Sequence, residues 1–214
     1  SICMNIVYRI SSTIMRHLFS VIYRTTWYGL ENIPKDGPLI VACNHVSFFD
    51  PPLIGCSAHR DFSYLARETL MGNPISAWLL PRLNVVGVDR EGGKDAKAVR
   101  HVLKSLKDGR AVVIFPEGTR SHDGTLQSAK AGIGLLACRS GVPVLPVRVF
   151  GAFNAFSRHH KLPSLRGRIK VVYGRPLQPS DFDPGKKATD RYQIAIDRIM
   201  EAIARQEIPV DSEV

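Results

Sequence analysis

A chain of 214 residues with 44% apolar and 22% charged residues has the size and balance of one globular domain with a buried core. Its 29 Lys and Arg against 19 Asp and Glu leave a net charge of +10, which points to an anionic partner: nucleic acid, a phosphorylated substrate or an acidic membrane surface. The four cysteines (Cys3, Cys43, Cys56, Cys138) form no CxxC pair and the seven histidines no HExxH pattern, so no metal site is expected, and the thiols read as reduced and cytosolic.

Residues 1–26 are apolar but broken by Arg9, Arg16 and Arg24. No stretch of about 20 uncharged residues is therefore present to cross a bilayer. No small-residue cleavage site follows the apolar run, so no signal peptide is expected, and a start at Ser1 without Met leaves room for a longer natural N-terminus. On a helical wheel Val7, Ile10, Ile14, Leu18, Val21 and Ile22 fall on one side. Arg9, Thr13, Arg16, Ser20 and Arg24 fall on the other. Such a basic amphipathic helix can lie in a membrane interface or pack on the domain's own core. The expected organisation is an N-terminal membrane-associating helix over 1–27 and an α/β domain over 28–214.

Beyond it, residues 27–34 lead into a turn at 35–38, and residues 38–43 read as a buried strand. Further strands are expected at 61–66, 84–88, 111–115, 143–149 and 168–173, with the two prolines Pro143 and Pro146 pointing to an edge position or an irregular start. Helices are expected from Pro51, over 74–80, 94–107 with Gly109 as its stop, 129–139, and 189–205. Strands and helices alternate, so the fold class is α/β: a mixed central sheet flanked by helices, with an N-terminal amphipathic basic helix.

Three polar turns follow predicted strands, and in α/β sheets ligands gather beyond the carboxyl ends of strands. The first holds His45 and Asp50. Asp50 reads as the N-cap of the next helix, with Pro51 at its first position. A carboxylate that holds one ring nitrogen of a His frees the other to take a proton. The second turn holds Arg90. The third, residues 116–121, offers Glu117, Gly118, Thr119 and Arg120. Arg90 and Arg120 are fork-shaped donors suited to phosphate, and Gly118 lets backbone N–H groups approach an anion. Lys130 stands at a helix start, where the dipole disfavours a cation and a bound anion would give it a purpose. Each of these residues taken singly also reads as a surface group in solvent.

Together, Asn44-His45-(four residues)-Asp50, Gly87-Val88-Asp89-Arg90, Phe115-Pro116-Glu117-Gly118-Thr119-Arg120-Ser121 and Val142-Pro143-Val144-Leu145-Pro146-Val147 resemble the glycerolipid acyltransferases, and most closely the bacterial 1-acylglycerol-3-phosphate acyltransferase group. The resemblance covers about residues 28–176. Lys130-Ala131-Gly132 is similar to a Lys-x-Gly found after the Glu117 loop in many members, and Val88 stands where relatives often carry a bulkier residue.

The resemblance implies a function: transfer of a fatty acyl group from a thioester to the free sn-2 hydroxyl of lysophosphatidic acid, making phosphatidic acid. His45 would be the base, oriented by Asp50, and no GxSxG nucleophile turn is present to form an acyl-enzyme. Arg90, Arg120 and Lys130 would hold the substrate phosphate, and Glu117, Gly118 and Thr119 would line the phosphate and glycerol site. No bound cofactor is implied; acyl-CoA or acyl-acyl carrier protein is the co-substrate. The implied setting is the cytoplasmic face of an anionic membrane, peripheral or monotopic. The basic runs 158–161 and 166–168 could add to a membrane surface, bind an acidic carrier protein, or lie in solvent. Glycerol-3-phosphate or another lysolipid is the alternative acceptor. A non-enzymatic basic module is the alternative class, although no helix-turn-helix or RNA-binding aromatic signature supports nucleic acid as partner.

Overall fold

The computed structural model describes residues 6–88 and 95–210. Among them the strands are β1 (Thr26–Tyr28), β2 (Leu39–Cys43), β3 (Phe62–Arg67), β4 (Val85–Val88), β5 (Ala111–Ile114), β6 (Val144–Phe150) and β7 (Lys170–Tyr173). They form one sheet in the order β1-β7-β6-β2-β5-β3-β4, parallel at every pairing except β6 with β7. The helices are α1 (Ile6–Tyr23), α2 (Asp50–Gly55), α3 (Pro74–Arg82), α4 (Asp95–Lys107), α5 (Ala131–Ser140), α6 (Ala152–Phe156), α7 (Pro179–Phe182) and α8 (Arg191–Ala204). The mixed α/β class expected from the sequence is the one found.

Both faces of the sheet are covered, which is why its central strands are continuous apolar runs. In β2, Leu39, Val41 and Cys43 join a core that includes α1 and α2, whereas Ile40 and Ala42 join a core with α4, α5 and α8. β5 repeats the division, with Ala111 and Val113 on the first side and Val112 and Ile114 on the second. Helix α5 meets α8 closely because Gly134 has no side chain: a Cβ there would lie 1.9 Å from the Tyr192 carbonyl oxygen.

The wheel reading of α1 separates the aliphatic residues correctly but not their surroundings. Tyr8, Phe19 and Tyr23 are buried in the first core, with Met15 packed against it. Of the aliphatic side, Ile10, Ile14, Leu18, Val21 and Ile22 point outward together with Ile6, at 38% to 67% exposure, while Val7 is half-buried. An aromatic stripe thus docks the helix, and Ser12 Oγ and Arg16 Nη1 fasten it to the carbonyls of Gly55 and Ser57 at 3.4 and 3.3 Å. Residue 27, the expected boundary, falls inside β1, which pairs with β7 from Thr26↔Lys170 to Tyr28↔Val172. Among the described residues no helix is long and apolar enough to cross a membrane.

Of the two readings of its prolines, β6 takes the irregular start and not the edge: it lies between β2 and β7, and its pairing on the β7 side begins with an isolated bridge, Val144 with Leu177. Pro146 is tolerated because β7 ends at Tyr173, opposite Val147. The Pro146 carbonyl takes the N–H of Gly174 at 2.8 Å, and the next contact across is Val144 with Leu177. The missing proline N–H falls in this gap of the ladder.

Candidate active site

β2 and β5 are parallel neighbours, with Ala42 opposite Ile114, so the loops that follow them leave the sheet along the same edge. Asn44 fixes the end of β2. Its side-chain amide donates to the Val149 carbonyl at 3.1 Å, and its carbonyl accepts the Val149 N–H at 2.8 Å. The chain then turns sharply, and Asp50, fully buried, folds back under the turn. One carboxylate oxygen, Oδ2, accepts from His45 Nδ1 at 2.8 Å, from the Val46 N–H at 2.7 Å and from the Ser47 N–H at 2.8 Å.

Asp50 is not the N-cap expected of it. Phe49 takes that position, without a side-chain cap, and Asp50 is the first helical residue. The reason is chemical: Pro51 and Pro52 carry no N–H, so the start of α2 has few donors for a cap to satisfy. The carboxylate is free to serve the turn before it. Burial pushes its pKa up, opposed by the His45 ring and the two backbone donors. An ionised carboxylate only accepts, so Nδ1 carries the ring proton and Nε2 is left as the basic lone pair. The imidazole stacks on Phe115, with centroids 4.1 Å apart and planes at 21°.

The loop after β5 is bolted to this turn. Glu117 Oε1 accepts the His45 N–H at 2.7 Å, and the Ser121 N–H donates to the His45 carbonyl at 2.7 Å. Glu117 Oε2 accepts the N–H of Gln127 at 3.0 Å. At 4% exposure Glu117 points into the protein and ties the two loops together, rather than lining the cleft as expected. Burial raises its pKa as well, against the two backbone donors. Gly118 turns at φ +71°, and the arm of Lys130 crosses where a side chain would stand: a Cβ would lie 2.5 Å from Lys130 Cε and 3.0 Å from Nζ. The Lys130 ammonium is thereby held beside the Gly118 turn, and the Lys130 N–H closes the loop on the Pro116 carbonyl at 2.9 Å. Thr119 is exposed. The Arg120 guanidinium lies 3.4 Å above the Phe48 ring, one residue past Ser47 in the His45 turn.

His45, Asp50, Glu117, Gly118, Arg120 and Lys130 are thus brought to one rim. Arg90 lies outside the described residues; β4, the strand before it, is separated from β5 by β3. Among the described residues no group of three or more His, Cys, Asp or Glu could hold a metal ion. Phe115 and Ser121 stood in the Glu117 motif without a role, and Phe48, Gln127 and an aromatic ladder carried no signal in the sequence. Phe19 meets Phe49 at 5.3 Å, Phe49 meets Phe156 at 5.2 Å, and Phe156 meets Phe48 at 4.8 Å. Contacts run without a break from α1 to Arg120. No spacing rule flags such a ladder, because its members come from three separate segments.

The fold and the rim define an α/β protein with a His–Asp pair beside a basic loop at the carboxyl edge of its sheet. The chain belongs to the acyltransferase family: the family model described as Acyltransferase matches residues 24–150. It is 30% identical over 163 residues to the chloroplastic 1-acyl-sn-glycerol-3-phosphate acyltransferase LPAT1 of Arabidopsis thaliana, covering 75% of this chain and 46% of that protein. To the 1-acyl-sn-glycerol-3-phosphate acyltransferase of Bacillus subtilis it is 26% identical over 177 residues, covering 82% of this chain and 85% of that one. The crystal structure of the 1-acyl-sn-glycerophosphate acyltransferase PlsC from Thermotoga maritima superimposes with a TM-score of 0.74 at 27% identity, covering 94% of this chain and 81% of that one. The chain spans about half the length of several curated relatives that it matches.

Proposed function

We propose that this chain transfers a fatty acyl group from an acyl thioester to the free sn-2 hydroxyl of lysophosphatidic acid, giving phosphatidic acid. The observation that carries the reading is the His45–Asp50 pair, 2.8 Å apart, with the carboxylate fully buried. His45 Nε2 takes the hydroxyl proton as the oxygen attacks the thioester carbonyl. The C–S bond then breaks, and the proton goes to the leaving thiolate. A base of this kind contributes about 10²–10⁴-fold, and the remainder comes from positioning and from stabilising the oxyanion. Arg120 and Lys130 hold the substrate phosphate, with Arg90 a third cation; Gly118 and Thr119 line the same site, and Glu117 and Asp50 keep His45 in place. The donor is acyl-CoA or acyl-acyl carrier protein. The outward aliphatic stripe of α1 supports a peripheral or monotopic seat on the cytoplasmic face of an anionic membrane.

The test is turnover of acyl thioester with lysophosphatidic acid, read by mass spectrometry of the product. His45→Ala abolishes transfer while thermal unfolding stays near that of the parent. Near-parental activity in that variant removes the mechanism. A panel with glycerol-3-phosphate and a neutral lysolipid as acceptors, and with both donors, fixes the substrates.

A further inference from the structure

Between Asp123 and Asp181 the chain has no acidic residue. Within this span lies the connection from α6 to β7, residues 157–169, with Arg158, Lys161, Arg166 and Arg168 exposed on it. Leu162 and Leu165, at 80% and 72% exposure, are among the most exposed large apolar side chains of the molecule. The loop is not slack. Ser157 N–H donates to His160 Nδ1 at 3.1 Å, His160 N–H to the Ser157 carbonyl at 3.1 Å, and Ser164 N–H to the Ala155 carbonyl at 2.8 Å. Two leucines are therefore held outward by a bonded backbone, each beside at least one cation. Water is a poor environment for them.

The loop also joins the two parts of the molecule that the proposed function uses. At one end Arg158 donates to the Arg120 carbonyl at 3.2 Å and to His122 Nε2 at 2.8 Å, and His159 Nε2 donates to the His122 carbonyl at 2.8 Å. Phe153 packs beside Gly124 in the same stretch. At the other end the Ile169 N–H donates to the Tyr23 carbonyl at 3.2 Å, at the end of α1 and next to the exposed Val21 and Ile22.

We propose that residues 158–168 form a second lipid-docking element, which seats Leu162 and Leu165 in the interface of an anionic bilayer with the surrounding cations at lipid phosphates. An acidic carrier protein would meet the charges but has no need of two fully presented leucines between them. The bilayer accounts for both. With α1 on one side and the Arg120 loop on the other, the element places the acceptor site at headgroup level. This rests on the reading of that rim as the acceptor site.

The experiment is co-sedimentation of the full chain with phosphatidylglycerol–phosphatidylcholine vesicles, and with pure phosphatidylcholine vesicles, in the absence of acyl donor. Two double variants are compared with the parent: Leu162→Asp with Leu165→Asp, and Lys161→Glu with Arg166→Glu. None of these four side chains makes a hydrogen bond in the structure that the fold needs, and thermal unfolding checks this directly. The leucine pair is expected to lower partitioning onto the anionic vesicles about tenfold or more. The charge pair is expected to do the same at low salt, with the difference from the parent shrinking as salt rises. Parental partitioning in both variants overturns the proposal. So does normal vesicle binding combined with a raised KM for acyl carrier protein alone, which would assign the loop to that partner. Because vesicle co-sedimentation involves no turnover, an active His45→Ala variant would sink the catalytic reading without touching the partitioning result.

Discussion

Glu117→Gln separates a tie between loops from a substrate contact. Glu117 accepts two backbone N–H groups, one on each carboxylate oxygen, at 2.7 and 3.0 Å. Glutamine keeps one acceptor and turns an NH2 group toward the other donor, in a pocket that leaves residue 117 only 4% exposed. One charge-assisted hydrogen bond is lost, worth about 1.5–3 kcal/mol, and a donor is left facing a donor. For a chain of this length that corresponds to a fall in Tm of about 3–12 °C. The His45 N–H is one of the two groups affected, and a misplacement of about 1 Å at a base can cost about 10²-fold in rate. The assay is thermal unfolding together with kcat and KM for lysophosphatidic acid. The expected pattern is a lowered Tm and lowered kcat with KM for the acceptor nearly unchanged. A raised KM with Tm and kcat intact would refute the reasoning and return Glu117 to the substrate cleft.

Asp50→Asn leaves the turn an acceptor but removes the fixed tautomer of His45, so kcat is expected to fall about 10²–10⁴-fold with far less effect on KM. A loss confined to KM would contradict it. Gly134→Ala sets a Cβ 1.9 Å from the Tyr192 carbonyl and forces α5 and α8 apart, at a cost of about 1–3 kcal/mol read by denaturant unfolding. The Arg191 guanidinium, with its Nε 2.7 Å from Asp183, holds that carboxyl well below the usual carboxylate range. A depressed folded pKa gives stability that is present above the unfolded value of about 3.9 and is lost as pH falls below it. Between about pH 5 and pH 2.5 the Tm of the parent should therefore fall more steeply than that of Asp183→Asn. Parallel curves would show that the pair is inert.

The alternation of strands and helices, and the chemistry on the loops after β2 and β5, were legible because both are local: an apolar run, a turn, a polar cluster. What escaped was set by distance. β1 has only three residues, and its status comes from its β7 partners more than 140 positions later in the chain. The interior place of β6 depends on where β7 stops, which nothing in the prolines reveals. The orientation of α1 was ambiguous because the helix carries two apolar sides, and the aromatic one wins the core by filling it with Phe19 and the two tyrosines. Glu117 was recognised as a site residue, but its direction is fixed by the N–H groups of residues 45 and 127, which only the folded chain assembles.

The tie between residues 45, 117 and 121 divides the loop after β5 into two kinds of position. Glu117 and Ser121 hold the base, while Thr119 and Lys130 stand exposed with Arg120 between them. Substrate range can then drift, or be engineered, by single changes in the second set without loosening the first. Loop grafting is another matter. A chimaera that imports residues 116–130 from a relative also imports half the support of His45, so it needs the matching turn, residues 44–50, from the same donor.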